Sequence, residues 1–99
     1  MSDDFESSKD LEEKGFRHWE RFELEEALQV FTEGVERFPA DRKLRLGLAF
    51  TRLDLGDLPQ ARGLFEELLQ LDPKDDESWW GIGRIHLLLS NYGEARYAF

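Results

Sequence analysis

One offset, 34 residues, returns this chain onto itself. Ala27, Ala61 and Ala95 are so spaced, as are Phe31, Phe65 and Phe99, and the same offset links Pro39 with Pro73 and runs through Gly15, Ala49 and Gly83. A period of this length means supersecondary units that stack, because one such unit cannot bury its apolar face alone. Counting back from the prolines sets repeats at 8–41, 42–75 and 76–99, behind an N-terminal tail, 1–7, expected to be disordered. The last repeat holds only 24 of its 34 residues.

Each unit carries the pattern of two helices. In the middle unit Leu44, Leu48 and Leu55 share one helical face, and Leu58, Ala61, Phe65, Leu68 and Leu69 form a second apolar stripe after the Leu55-Gly56-Asp57 break. Asp57 with Gln60 and Asn91 with Glu94 have capping-box spacing, which Glu23 and Glu26 repeat more weakly. Pro39 and Pro73 cannot continue a helix, and Asp41 and Asp75 stand where they can cap the next one. Helices are predicted over 9–21, 24–37, 41–54, 58–71, 76–89 and 92–99. The small residues at the shared offset let paired helices approach, with the phenylalanines filling the space between pairs. The fold class that follows is all-α, a solenoid of antiparallel helix pairs with two full repeats and a truncated third.

With these residues in view, the chain resembles the tetratricopeptide repeat family. The third unit carries the likeness best, in Trp79, Ile82, Gly83, Tyr92, Ala95 and Phe99. The second keeps Leu48, Ala49, Gly56, Ala61, Phe65 and Asp72-Pro73 but has Arg45 for the tryptophan. The first keeps Gly15, Ala27, Phe31 and Pro39, with Leu11 for the tryptophan and Phe22 for the glycine between helices. The resemblance implies a right-handed superhelix whose first helices line a concave groove for partner proteins.

Composition narrows the function from the other side. The 99 residues hold 13 Lys+Arg against 22 Asp+Glu, a net charge of -9, so a single acidic domain is expected and nucleic acid is not an expected partner. The only basic cluster, Arg37, Arg42, Lys43 and Arg45, lies between two acidic segments. No basic start, apolar leader or long apolar run is present, so no membrane role and a cytoplasmic location are expected. With no cysteine there is neither a disulfide framework nor a thiol nucleophile. His18 and His86 lie two repeats apart with an intervening helix pair, which disfavours a shared metal, and neighbouring glutamates such as Glu12-Glu13 point about 100° apart on a helix. No catalytic, cofactor or metal set is expected, and the chain reads as a non-enzyme.

The functional signal lies in apolar residues of the first helices that face away from their own partner helix. Leu46, Phe50 and Leu53 lie across the helix from the Leu44 stripe. Trp80, Leu87 and Leu88 do the same in the third unit, and Phe16 and Trp19 in the first; Arg84 completes the set. By the geometry the resemblance implies, these line the concave surface, with Leu53 and Leu87 also placed to pack between successive first helices. The family's carboxylate clamp would fall on Glu12, Phe16, Gly47, Glu77 and Gly81, none of which suits it. The expected ligand is therefore a hydrophobic or amphipathic protein segment, with basic flanks suited to a rim of Glu12, Glu20, Asp54 and Glu77. The alternative expectation is a self-association module, a homodimer joined through the C-terminal end, where the repeat is incomplete.

Overall fold

The computed structural model describes the backbone of residues 6–98 and the side chains of residues 6–90. Five helices account for nearly all of it: α1 Ser8–Glu20, α2 Leu24–Arg37, α3 Arg42–Asp54, α4 Leu58–Leu71 and α5 Asp76–Ala98. No strand occurs among the described residues.

The helix starts share the repeat. Ser7, Asp41 and Asp75 stand 34 residues apart and each accepts a backbone N–H three residues on, from Asp10, Leu44 and Ser78 at 3.1, 2.9 and 3.3 Å. Each satisfies a donor that the first turn would otherwise leave unpaired. Ser7 and Asp10 form a reciprocal capping box, and the Arg37 guanidinium donates to the Glu6 carbonyl at 3.1 Å. The end of the predicted tail is thus tied to the body, while residues 1–5 lie outside the described residues. Asp57 caps α4 as expected, but Glu23 does not cap α2. Its carboxylate instead meets His18 Nδ1 at 2.8 Å, which removes it from the helix start.

Consecutive helices pack in chain order, and α3 also touches both α1 and α5. Two wedges set the stack. Phe31 and Phe65 are fully buried. A methyl group built on Gly15 or Gly47 would run into the Phe31 ring, and one built on Gly81 would run into Phe65. Each phenylalanine of a second helix therefore seats on a glycine of the next unit's first helix. Burying such a ring contributes roughly 1.5–3 kcal/mol. Around the first wedge lie Leu11, Ala27, Val30, Leu44 and Leu48. Around the second lie Leu46, Ala49, Phe50, Leu53, Ala61, Leu68 and Ile85.

The third unit departs from expectation. The predicted helices 76–89 and 92–99 are one continuous helix, α5. The first two units turn at left-handed residues, Phe22 with φ 60° and Gly56 with φ 87°. The matching position, Ser90, is helical. Among the described residues no helix folds back over α5 there; a methyl group on Gly83 would meet nothing within 4 Å, and Trp79 is 53% exposed. Leu55 is also displaced from its predicted core stripe, because it terminates α3 at the turn. Asn91 and Glu94 lie inside α5, so the helix start predicted there does not form, and the side chains of Tyr92, Ala95 and Phe99 lie outside the described residues.

Candidate functional site: an aromatic groove on the first-helix face

The groove is built where α1, α3 and α5 come together. Phe16 and Trp19 project from α1, Leu46 and Phe50 from α3, and Trp80 from α5, lining an open cleft of about 420 Å³ with the exposed Asp76 and Glu77 at its mouth. The rings form a continuous chain of contacts. Phe16 meets Trp19 edge-on at 6.2 Å between centroids, Trp19 meets Phe50 at 6.1 Å, and Phe50 meets Trp80 at 5.7 Å. Phe50 also abuts the Phe65 wedge at 5.0 Å, and Phe16 abuts Phe31 at 4.9 Å, so the groove stands directly on the core. Edge and tilted arrangements of this kind suit the ring quadrupoles.

Polar ties hold the walls at both ends. The Trp19 indole N–H donates to Asp54 Oδ2 at 2.8 Å, and Arg84 Nη2 lies 3.5 Å from Asp54 Oδ1 while its guanidinium sits 5.1 Å over the Trp80 ring. One carboxylate at the end of α3 thus links α1 to α5. At the other end Arg42 forks onto the capping carboxylate of Asp75, with Nε 2.9 Å and Nη2 2.8 Å away, and also reaches Glu77 at 2.7 Å. The paired guanidinium holds the Asp75 carboxyl below its ordinary range, against the opposing effect of burial, and the two carboxylates raise Arg42 in turn. A neighbouring depression of about 500 Å³ shares Phe16, Leu46 and Glu77 and is rimmed by Glu12, Glu13, Glu20, Arg17, Arg42 and Lys43. Burial and the adjacent Asp41 carboxyl push Glu12 up, whereas hydrogen bonds from Glu12 and from the α3 backbone hold Asp41 down despite its burial.

The nine predicted groove residues separate by depth. Leu46, Phe50 and Leu53 are not surface residues: they are 3%, 7% and 2% exposed. The central helix is sandwiched between α1 and α5, so both its apolar faces are covered. Leu46 and Phe50 form the floor of the groove, and Leu53 lies beneath it in the core. Phe16 and Trp19 are half-buried walls, Trp80 is 59% exposed, and Arg84 is half-buried against it. Leu88 packs partly onto the core, while Leu87 is exposed and does not line the cavity. Asp54, read only as rim, is the groove's tie point. Gly47 and Gly81, weighed only as clamp positions, are the wedge seats, whereas the sequence pattern assigns close approach to the register of Gly15, Ala49 and Gly83.

A second apolar surface flanks α5. Trp79, Ile82 and His86 border a depression of about 570 Å³ against Arg62, Glu66, Leu69 and Gln70 of α4. The Trp79 indole N–H donates to the Pro73 carbonyl at 2.7 Å. His18 and His86 are therefore on different surfaces, and among the described residues no group of three or more His, Cys, Asp or Glu is placed to hold a metal ion. No helix among the described residues is long and apolar enough to cross a membrane.

Comparison with known proteins agrees with this geometry. Protein CTR9 homolog of Arabidopsis thaliana is 35% identical to the chain over 68 residues, which take in 68% of this chain and 6% of that protein. The chain thus spans a small fraction of that relative's length. The family model described as tetratricopeptide repeat matches residues 18–81, from the end of α1 through the wedge seats Gly47 and Gly81, and the chain belongs to that family.

Proposed function

We propose that this chain is a non-enzymatic scaffold that holds an apolar or amphipathic segment of a partner protein in the groove between α1 and α5. The observation that carries the proposal is the Trp80 ring, 59% exposed yet fixed against the buried Phe50 at 5.7 Å. A large aromatic that is both exposed and held in place is the kind of anchor on which binding energy concentrates. Peptide selection from a displayed library tests it. Selected peptides should carry paired apolar anchors and lose at least tenfold in affinity on Trp80→Glu, while Glu36→Lys on the outer face of α2 leaves them unchanged. Peptides indifferent to Trp80→Glu would contradict the assignment.

A second reading, self-association through α5, is favoured by its uncovered side, where Trp79 and Leu89 are 53% and 46% exposed. Sedimentation over a hundredfold concentration range separates the two. A strict monomer that still binds the selected peptides leaves the groove as the functional surface.

A further inference from the structure

The groove has an electrostatic character that apolar burial alone does not explain. Its ring faces are electron-rich, and its mouth is acidic once the ion pairs are counted. Arg84 is neutralised by Asp54, and Arg42 is shared between Asp75 and Glu77. What remains at the mouth is Asp76, which no base pairs with among the described residues, and the excess charge of the Asp75–Glu77 pair. Trp80 already makes one contact with a cation beside the cavity, where Arg84, which does not line it, lies 5.1 Å from the ring centroid. Cations are attracted to such faces, Trp most strongly, and aromatic slots are suited to alkylated ammonium groups.

We propose that the anchor of the bound segment is a methylated lysine, its alkylammonium group seated between the Phe16–Trp19 wall and Trp80, above Phe50. This rests on the groove being a protein-binding surface and names what it prefers. A bare ammonium carries three N–H donors, and the slot offers it ring faces and carboxylates only at the rim. Each methyl group removes one of those donors while keeping the charge, trimethylation removing all three, and the added carbon matches an apolar floor of Leu46 and Phe50. A volume of about 420 Å³ lies within the range of small-ligand pockets, about 300–1,000 Å³. The general acidity of the chain, net -9, favours approach of the basic segment in which such a lysine sits.

The indole N–H resonances of Trp19, Trp79 and Trp80 give three reporters, with Trp79 on the opposite flank as internal control. The intact 99-residue chain is titrated with N-acetyl-trimethyllysine methylamide, with the unmodified lysine analogue, and with the neutral isostere in which carbon replaces the ammonium nitrogen. The trimethylated cation is expected to shift Trp80 and Trp19 saturably and Trp79 little, binding at least about fivefold tighter than the isostere. Asp76→Asn should weaken the cation and leave the isostere unchanged. Trp80→Leu, an exposed position whose loss leaves the core intact by circular dichroism, should abolish the preference. Equal binding of cation and isostere, preference for unmodified lysine, or shifts centred on Trp79 would overturn the inference. So would choline binding as tightly as a groove peptide carrying the trimethyllysine, because the ligand would then be a free small molecule. If library-selected peptides still require Trp80 while cation and isostere bind alike, the inference fails and the groove assignment stands; if no peptide requires Trp80, the assignment itself fails.

Discussion

Trp79 and Trp80 are consecutive, comparably exposed, and belong to two different surfaces. Trp80 packs against a buried ring, Phe50, and under a paired cation, Arg84. Beside Trp79 lie a backbone carbonyl, a half-buried Ile82 and the open space around Gly83. The difference comes from which helices the stack has already supplied. The Trp80 side of α5 faces α1 and α3, both fixed by earlier wedges, whereas the Trp79 side faces the place where a folded-back helix would lie. Apolar content is similar on the two sides, but only one of them is preorganised, and preorganisation is what lowers the entropy lost on binding.

The largest effect that would test this contrast is expected in the groove floor. Phe50→Ala should lower stability by about 3–5 kcal/mol, because it empties a space bounded by Trp19, Phe65 and Trp80. Ile82→Ala on the flank should lower it by distinctly less. Denaturant melts of the two variants that gave equal losses would remove the distinction between a supported and an unsupported side of α5.

Two glycines of the same helix refine the comparison. At Gly81 a methyl group would collide with the fully buried Phe65, so Gly81→Ala should destabilise by about 1–3 kcal/mol. At Gly83 it would meet nothing within 4 Å, so Gly83→Ala should stabilise by up to about 1 kcal/mol through helix propensity. Thermal melts with opposite signs are expected; a destabilising Gly83→Ala would mean that the flank is covered in solution.

The ion pair that seats α5 against α3 gives a smaller, pH-dependent effect. The folded Asp75 carboxyl titrates below its unfolded value, so it contributes stability that is complete above the unfolded value and lost as pH falls through the folded one. Arg42→Met should cost about 1–3 kcal/mol at neutral pH, since it leaves a carboxylate that is only 1% exposed with the Ser78 N–H but without its cation. The variant should also lose less stability on acidification than the parent. Parallel pH titrations of melting temperature check the sign.

The repeat, the helix pairs and the wedge residues could be read from the sequence, because Ala27 and Ala61, Phe31 and Phe65, and the caps Asp41, Asp57 and Asp75 each have a local physical reason to be where they are. That Phe16, Trp19, Leu46, Phe50 and Trp80 share one face was readable, but their depth and the separation of Leu53 and Leu87 from them were not. Leu46, Phe50 and Leu53 have the pattern of a second exposed face, and only the presence of helices on both sides of α3 makes them core. The run of α5 through Ser90 was not readable for a related reason: the Asn91–Glu94 signal favours a helix start, while Ser90 lacks the glycine that opens the turn at Gly56. The tie at Asp54 joins residues 35 positions apart, which no local pattern reports.

The most direct test of the account places the two tryptophans against each other. With a peptide selected on the parent chain, affinity is measured by calorimetry for Trp80→Ala and Trp79→Ala, each verified as folded by circular dichroism. Trp80→Ala should lose at least tenfold, equivalent to about 1.4 kcal/mol or more, and Trp79→Ala less than twofold. The reverse order would contradict the groove assignment and would move the binding surface to the uncovered flank of α5.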